Sequence, residues 1–298
     1  LISRPLIILS NNDGCIIARS PEARRLGIAM GQPYFKSQHE LRKFDVVVRS
    51  SNYALYGDMS HRLMNLLAKH CKQLEIYSID EAFMDFNGIP KKEQFALELR
   101  DKILQWTGIP ISIGVAPTKT LSKVANYIAK KKRPNGVCVL RNKYEITEYL
   151  RLFPVSKLWG VGRKFSKVLQ ENGIQNAYQL TQKSDQWIQK YMSIIGLKMA
   201  KELRGEACFD MTTKWNRKKS IMTSRTFGNE IDNFKNLSQA LSTYASMCAT
   251  KLRKERSCAK VIYIMIFTNP FKQNEINYRG SKTIILDVPT NDGLEIVS

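Results

Sequence analysis

The stretch that most restricts the fold of this chain is residues 75–86, EIYSIDEAFMDF, in which two apolar runs flank adjacent carboxylates. The pattern predicts two strands, at residues 74–79 and 82–86, joined by a tight connection that carries Asp80 and Glu81. The apolar flanks suggest burial, which raises the cost of adjacent like charges unless a proton or a cation compensates them. We therefore expect this pair of carboxylates to have a partner.

Composition narrows the class of protein. The chain has 298 residues, of which 43% are hydrophobic, so it can build two to four compact units and is not a disordered tail. Lys and Arg number 47 against 26 acidic residues, a formal charge of +21. Such an excess of positive charge favours a polyanionic partner, usually nucleic acid, over the lesser alternative of an anionic membrane surface.

The cysteines and the apolar runs indicate the compartment. The six cysteines form no C-x-x-C pair, so we expect reduced, mostly buried thiols in a cytoplasmic protein rather than a zinc knuckle or disulfides. The longest apolar run, residues 261–267, is too short to span a bilayer, so no membrane insertion is expected. The chain begins without Met and ends on a helix start, TNDGLEIVS, which suggests an internal fragment.

The remaining pattern indicates three kinds of unit. Short strands alternate with amphipathic helices up to about residue 140 and predict a mixed sheet with helices on one face. The predicted strands are residues 5–9, 46–48, 109–115 and 137–140, and the predicted helices are 21–27, 53 onward, 92–106 and 118–131. Residues 150–213 predict a small helical unit. Alternating strands around residues 221–227, a helix and the strand 261–267 predict a third, α+β unit.

Each candidate site has an ordinary structural alternative. Asp80 and Glu81 could be a solvated turn, but carboxylates at a sheet edge in a basic protein also suit Mg²⁺ that meets a phosphate. A third carboxylate is usually needed; Asp85 alternates onto the right face but is better explained as a strand-end residue. In GVAPTKT, Thr118 replaces the second glycine of a phosphate-binding loop, so a helix start at Thr118 or Thr120 is the better interpretation.

Two basic segments are candidates for phosphate binding. KKKR at residues 130–133 is typical of a solvated helix end, although Arg133 could reach a triphosphate. WGVG at residues 159–162 is either a plain turn between helices or a helix-hairpin-helix, in which Gly160 and Gly162 let backbone amides approach DNA phosphates. Arg163 and Lys164 favour DNA, and such contacts would be independent of sequence.

Taken together, these motifs resemble those of the Y-family translesion DNA polymerases, and within them the bacterial DNA polymerase V branch with its plasmid relatives. The segments that carry the resemblance run in family order along nearly the whole chain: SNNDGCIIAR, SNYALYGDMS, YSIDEAFMDF, IGVAPTKTLSKVAN, LWGVGRK and ELRGEAC. The resemblance implies an α+β right hand: residues 1–73 as part of the palm and the fingers, 74–149 as palm, 150–213 as a helix-hairpin-helix thumb, and 217–298 as little finger.

The resemblance also implies roles for individual residues. Asp80 and Glu81 would be two of three carboxylates that hold paired Mg²⁺ ions. Arg24, in PEAR, and Arg133, in RPNG, match positions that contact the incoming deoxynucleoside triphosphate, while Pro21 departs from a tyrosine of some relatives. Residues 217–227 match the first little-finger strand, whose Ser224 and Arg225 would lie along template phosphates.

The implied activity is error-prone synthesis past damaged template bases during the SOS response to DNA damage. By the same resemblance the partners are damaged or primed DNA, a UmuD-type accessory subunit, a recombinase filament and a sliding clamp. The third metal-binding Asp would lie upstream of Leu1, so the 298-residue chain alone is expected to be inactive. The alternative is a non-catalytic binder of damaged or primed DNA; a phosphatase or nuclease is a weaker rival.

Overall fold

The computed structural model describes residues 4–212, 217–228, 231–268 and 277–298. The chain forms two compact units, one of residues 1–51 and 215–298 and the other of residues 52–214. Helices and strands are numbered along the chain, so the numbering of the first unit is interrupted by that of the second.

The first unit opens with a three-stranded sheet. Strand β1 (Leu6–Leu9) pairs antiparallel with β2 (Ile16–Arg19) and parallel with β3 (Val47–Ser50). Helix α1 (Pro21–Arg25) and helix α2 (Tyr34–Lys43) lie between β2 and β3 in sequence. The buried side chains that form the core of this part are Ile7, Leu9, Ile16, Ala23, Ile28 and Leu41. The strands and the short helix predicted here are confirmed.

The second unit begins with the elements that carry the carboxylate hairpin. Its first seven elements are α3 (Tyr53–Ala68), β4 (Leu74–Ile76), β5 (Ala82–Met84), α4 (Lys92–Thr107), β6 (Ile113–Val115), α5 (Lys119–Lys132) and β7 (Val137–Val139). Strands β4 and β5 form the predicted antiparallel hairpin, with Glu75 opposite Phe83. Helices α3 and α4 share a core of Met64, Leu67, Leu99 and Ile103, against which Leu74 and Met84 pack.

The prediction of one mixed sheet is wrong for the described residues. Strands β6 and β7 pair parallel with each other, and the sheets β2-β1-β3, β4-β5 and β6-β7 are separate. Strands β4 to β7 have only three residues each, so each pair makes a short ladder. Helix packing covers them instead: a Cβ at Gly114 would lie 2.1 Å from the Asn126 nitrogen of α5, so only glycine permits this approach.

Helices complete the second unit, as predicted for residues 150–213. They are α6 (Lys143–Leu152), α7 (Arg163–Glu171), α8 (Ala177–Thr181) and α9 (Asp185–Leu203), with a 3₁₀ turn at Val155–Lys157. Helix α9 is broken at Ser193, whose φ is +66°. One continuous core joins these helices to α5, so the two parts of the unit are packed as one body. Its side chains include Leu121, Leu150, Leu169, Ile188 and Leu203.

The first unit is completed by α10 (Phe234–Lys254), β8 (Ala259–Phe267), β9 (Arg279–Thr290) and α11 (Gly293–Val297). The prediction of strands around residues 221–227 is wrong, because the described residues 217–228 contain no strand. Side-chain bonds take the place of a ladder there: the Lys251 ammonium donates to the Met222 carbonyl at 2.8 Å and to Thr223 Oγ1 at 2.9 Å. The predicted helix start at the C-terminus is confirmed as α11.

The cysteines are all free thiols, as predicted, but they are not mostly buried. Cys138 is buried, Cys258 is exposed, and the other four are partly exposed. Burial raises the pKa of the Cys138 thiol above its ordinary value, which keeps that thiol protonated at neutral pH. Among the described residues, no helix combines the length and the apolar character that crossing a membrane requires.

Candidate functional site

The adjacent carboxylates lie on a tightly bonded loop, residues 77–81, between β4 and β5. The backbone N–H groups of Tyr77 and Ser78 both donate to the Glu81 carbonyl, each at 3.0 Å. Ser78 Oγ donates to Asp80 Oδ1 at 2.7 Å. These bonds hold Asp80 and Glu81 at the tip of the hairpin, where the sequence predicts them.

The flanks of this tip are not buried, contrary to the expectation from the sequence. Ile76, Tyr77 and Ile79 are 50%, 46% and 51% exposed, and Asp80 is exposed as well. The apolar residues lie at the connecting end of a short hairpin, where Tyr77 is only partly covered, by Phe83 and Trp159. Water therefore screens much of the repulsion between the carboxylates, and the same exposure leaves them accessible to a ligand.

The expected positive partner of the pair is Lys123 of α5. Its Nζ lies 2.7 Å from Glu81 Oε2, and the two side chains are 17% and 41% exposed. Three aromatic rings surround the ammonium: its nitrogen lies 4.8 Å from the ring centroid of Tyr77, 5.7 Å from that of Phe83 and 5.9 Å from that of Trp159. The chain thus compensates Glu81 with a lysine held against aromatic ring faces.

A second lysine of α5 fixes the base of the hairpin. Lys119 Nζ forms an ion pair with Glu75 Oε2 and donates to the Asp210 carbonyl at 2.6 Å. The Thr212 backbone N–H donates to the same Glu75 oxygen at 2.6 Å. Because Lys119 and Lys123 are four residues apart, one face of α5 presents both ammonium groups to the hairpin.

Aromatic packing reinforces this arrangement. The Trp159 ring lies edge-on to Tyr77 and Phe209, with both pairs of centroids 5.5 Å apart, and its Nε1–H donates to the Tyr77 hydroxyl at 3.0 Å. Phe83 packs against both Tyr77 and Trp159. The hairpin is thereby joined to the glycine-rich turn before α7 and to the segment that follows α9.

A buried carboxylate holds the start of α5. Glu202 is 0% exposed. Its Oε2 accepts from the Thr120 backbone N–H at 2.7 Å and from Thr120 Oγ1 at 2.8 Å, while its Oε1 accepts from the backbone N–H groups of Cys208 and Phe209 at 3.2 and 3.0 Å. Thr118, as predicted, caps the helix by accepting from the Leu121 N–H. A carboxylate at a helix N-terminus is favoured by the helix dipole.

The glycine-rich turn opens into a helix start that no side chain caps. Gly160 adopts φ +87°, which favours glycine, and Gly162 precedes α7 without a side-chain cap. Helix α4 of the same unit also lacks a side-chain cap, whereas α5, α6, α8 and α9 begin at capping side chains, those of Thr118, Asn142, Asn176 and Ser184. Arg163 and Lys164 are exposed in the first turn of α7, which is suited to an anion.

The remaining predicted site residues lie as follows. Arg24 is exposed in the last turn of α1, in the first unit. Arg133 ends α5 in the second unit and donates from Nη2 to the Tyr149 hydroxyl at 2.9 Å, a bond that raises the pKa of the guanidinium. Ser224 and Arg225 are exposed in the strandless segment of the first unit.

The donor set of the hairpin suits a hard cation, although it is small. Within the described residues, no group of three or more His, Cys, Asp or Glu side chains is placed to hold a metal. Asp85 has the strand-end role predicted for it, since its Oδ1 accepts from the Asn87 N–H at 2.8 Å. Asp80 and Glu81 supply carboxylate oxygens, and an ammonium already sits on one of them. Mg²⁺ is commonly held by one or two carboxylates and completed by substrate phosphates, so the pair fits that ion.

Solved structures with the same fold are Y-family DNA polymerases. A Y-family DNA polymerase chimera, Dbh-Dpo4(243-245)-Dbh, matches with a TM-score of 0.76 over 98% of this chain and 84% of the chimera, at 24% identity. The insertion ternary complex of Dbh DNA polymerase matches with a TM-score of 0.60 over 96% of this chain and 81% of that one, also at 24% identity. The fold is therefore that of a Y-family DNA polymerase.

Sequence comparison identifies the family more narrowly. The impB/mucB/samB family model matches residues 1–127, and the C-terminal domain model of that family matches residues 218–298. Protein UmuC of Salmonella typhimurium is 41% identical over all of this chain and 72% of its own length, and Protein MucB of Escherichia coli is 34% identical over the same shares. The chain belongs to the impB/mucB/samB family and is an error-prone, translesion DNA-directed DNA polymerase, as the motifs suggested.

Glu202 provides a direct test of this geometry. Replacing it by Gln keeps its volume but turns an NH₂ group toward a backbone donor, so we expect Glu202→Gln to lower the free energy of unfolding by about 2–4 kcal/mol. Glu206→Gln is the matched control. The Glu206 side chain is mostly exposed, and its ion pair with Lys201 Nζ is long, at 3.9 Å, so its loss should cost little stability. Urea denaturation followed by circular dichroism measures both variants. Equal stability of the two would contradict a supporting role for Glu202.

Proposed function

We propose that Asp80 and Glu81 are the carboxylates through which this polymerase binds divalent metal at its nucleotidyl transfer site. The observation that supports this most directly is their position: two accessible carboxylates on a loop that backbone bonds, Lys119 and the Trp159 cluster hold in place. Rigid placement matters because phosphoryl transfer depends on positioning and on compensation of charge.

Individual residues have distinct roles in the proposed nucleotidyl transfer. Asp80 and Glu81 would hold Mg²⁺, which would supply charge compensation for the attacking and leaving oxygens of the transfer. The Lys119–Glu75 pair keeps the hairpin at a fixed distance from α5. Arg133 binds the triphosphate of the incoming nucleotide, and its bond to the Tyr149 hydroxyl limits the conformations from which it does so. The proposal that Arg24 also binds the triphosphate rests on the family resemblance of its PEAR segment.

We further propose the hand-like division of the chain that its fold suggests. Residues 1–73 supply part of the palm and the fingers, 74–149 the palm, 150–213 the thumb and 217–298 the little finger. The uncapped start of α7, with Gly160, Gly162, Arg163 and Lys164, supports a thumb that holds DNA phosphates. Ser224 and Arg225 serve as further phosphate contacts, and their exposure is compatible with this role.

The substrates are primed DNA, damaged in the template, and deoxynucleoside triphosphates. Support comes from the fold, which includes a match to a polymerase ternary complex, and from the net charge of +21. Family membership is the support for the finer proposals, a cytoplasmic enzyme that works with a UmuD-type accessory subunit, a recombinase filament and a sliding clamp.

The metal site predicts a sharp loss of activity. Asp80→Asn and Glu81→Gln each remove one carboxylate charge, so primer extension should fall at least a hundredfold while primer-template affinity stays within about twofold of the unaltered protein. Extension with Mg²⁺ and four deoxynucleoside triphosphates, measured on the protein as its gene encodes it, tests this expectation.

Asp101→Asn removes a comparable charge from an exposed position on α4 and serves as the control. It should extend primers at the normal rate. If Asp80→Asn and Glu81→Gln also extend normally, the metal site lies elsewhere; if all the proteins bind primed DNA and none extends it, a non-catalytic binder is the better description.

The thumb proposal predicts binding that depends on salt and not on sequence. Arg163→Ala combined with Lys164→Ala removes two phosphate contacts, so affinity should fall about equally on unrelated primer-templates. The slope of log affinity against log salt should flatten by roughly two units at most. Lys69→Ala with Lys72→Ala deletes the same charge from exposed positions just after α3 and should leave the slope unchanged. Fluorescence anisotropy across a salt series measures this slope. A loss of affinity confined to one DNA sequence would instead indicate that the residues read bases.

A further inference from the structure

Lys123 has contacts that the proposed mechanism does not use. Its ammonium lies 2.7 Å from Glu81 Oε2, on a carboxylate proposed to hold metal. The side chain is only 17% exposed, and Tyr77, Phe83 and Trp159 place their rings within 5.9 Å of the nitrogen. A lysine so enclosed is held near one carboxylate rather than sampling solvent.

The position of Lys123 is also fixed from behind. The first turn of α5 is held by Thr118 and by the buried Glu202, and the next turn carries Lys123. Lys119, on the same face, has its own partner in Glu75, so the two lysines are not interchangeable. The positive charge that compensates Glu81 therefore comes from one specific side chain, Lys123, whose position the surrounding residues fix.

We propose that Lys123 is an internal counter-cation, which neutralises Glu81 while no metal is bound and competes with the divalent ion for this carboxylate. The inference rests on the proposed metal site at Asp80 and Glu81. An ion on the Glu81 oxygen that accepts from Lys123 would compete with the ammonium for that oxygen and repel its positive charge, which favours movement of the ammonium away from Glu81. Lys123 thus sets the metal concentration at which the site fills.

The aromatic rings give the displaced ammonium somewhere to go. Attraction between a cation and the faces of Tyr77, Phe83 and Trp159 persists after the bond to Glu81 breaks. The lysine then remains close to the site, where its charge still opposes the metal. Two positive ions near one carboxylate repel each other, and a partly screened pair of this kind changes affinity by roughly threefold to tenfold.

The test is terbium binding by the 298-residue chain, read as luminescence sensitised by the neighbouring indole and phenol rings. Tb³⁺ prefers the same hard oxygen ligands as Mg²⁺, and Trp159 and Tyr77 lie beside Glu81, so a bound ion is excited through them. We expect Lys123→Gln to bind Tb³⁺ roughly threefold to tenfold more tightly than the unaltered chain. Lys123→Arg keeps the positive charge and should bind Tb³⁺ with the affinity of the unaltered chain.

Control variants separate this effect from general electrostatics and from the metal site itself. Lys130→Gln removes the same charge from an exposed position two turns further along α5, away from the hairpin, so its affinity should stay within about twofold. Lys123→Met is a second uncharged variant, used if circular dichroism shows that Lys123→Gln is unfolded. Glu81→Gln should abolish the sensitised signal with or without Lys123.

The outcomes distinguish the two proposals. Binding by Lys123→Gln and Lys123→Met that is no tighter than normal, while Glu81→Gln still abolishes the signal, overturns the counter-cation role and leaves the metal site standing. A signal that survives both Asp80→Asn and Glu81→Gln overturns the metal site, and with it the role of Lys123. Displacement of bound Tb³⁺ by Mg²⁺ should give the same ranking of the variants for their affinity for Mg²⁺.

Discussion

The start of helix α5 is the point on which the candidate site depends. Its first amides would be costly to bury without acceptors, and the buried Glu202 supplies them while also binding the backbone at Cys208 and Phe209. This one carboxylate therefore fixes both a helix and the segment after α9. Because α5 carries Lys119 and Lys123, the same interaction decides where the hairpin of β4 and β5 is held.

From that anchor, charge and aromatic packing determine how the hairpin can act. The base is locked by Glu75, whereas the tip, with Asp80 and Glu81, is exposed and partly compensated by one lysine. A rigid base with an accessible tip is what charge compensation during phosphoryl transfer requires, since a site that must reorganise loses rate. The aromatic cluster around Trp159 extends this rigidity to the turn before α7.

Local pattern was enough to predict the elements that carry the site. The hairpin, the helix start at Thr118 and the helical character of residues 150–213 follow from turn chemistry, capping and periodicity, which are properties of neighbouring residues. The family resemblance added polymerase chemistry, which the comparisons support. The mixed sheet and the strand near residue 224 failed because strand pairing depends on distant partners that no local pattern specifies.

The side chains that bond to the site residues could not be predicted from the sequence, for the same reason. The TKTLSK pattern places two lysines on one helix face, but nothing local assigns Lys123 to Glu81, 42 residues away. Glu202 lies 82 residues from Thr120, so no local pattern relates the two residues. The expected burial around Asp80 was wrong because apolar composition does not reveal whether other elements cover a hairpin tip.

The most direct measurement is anomalous diffraction from crystals of the protein with primed DNA, a deoxynucleoside triphosphate and Mn²⁺, which scatters anomalously and takes similar ligands to Mg²⁺. The account predicts manganese peaks at coordination distance, roughly 2.0–2.2 Å, from carboxylate oxygens of both Asp80 and Glu81, with the Lys123 ammonium displaced from Glu81. Manganese bound to the triphosphate and to other side chains, with Glu81 still paired to Lys123, would contradict it.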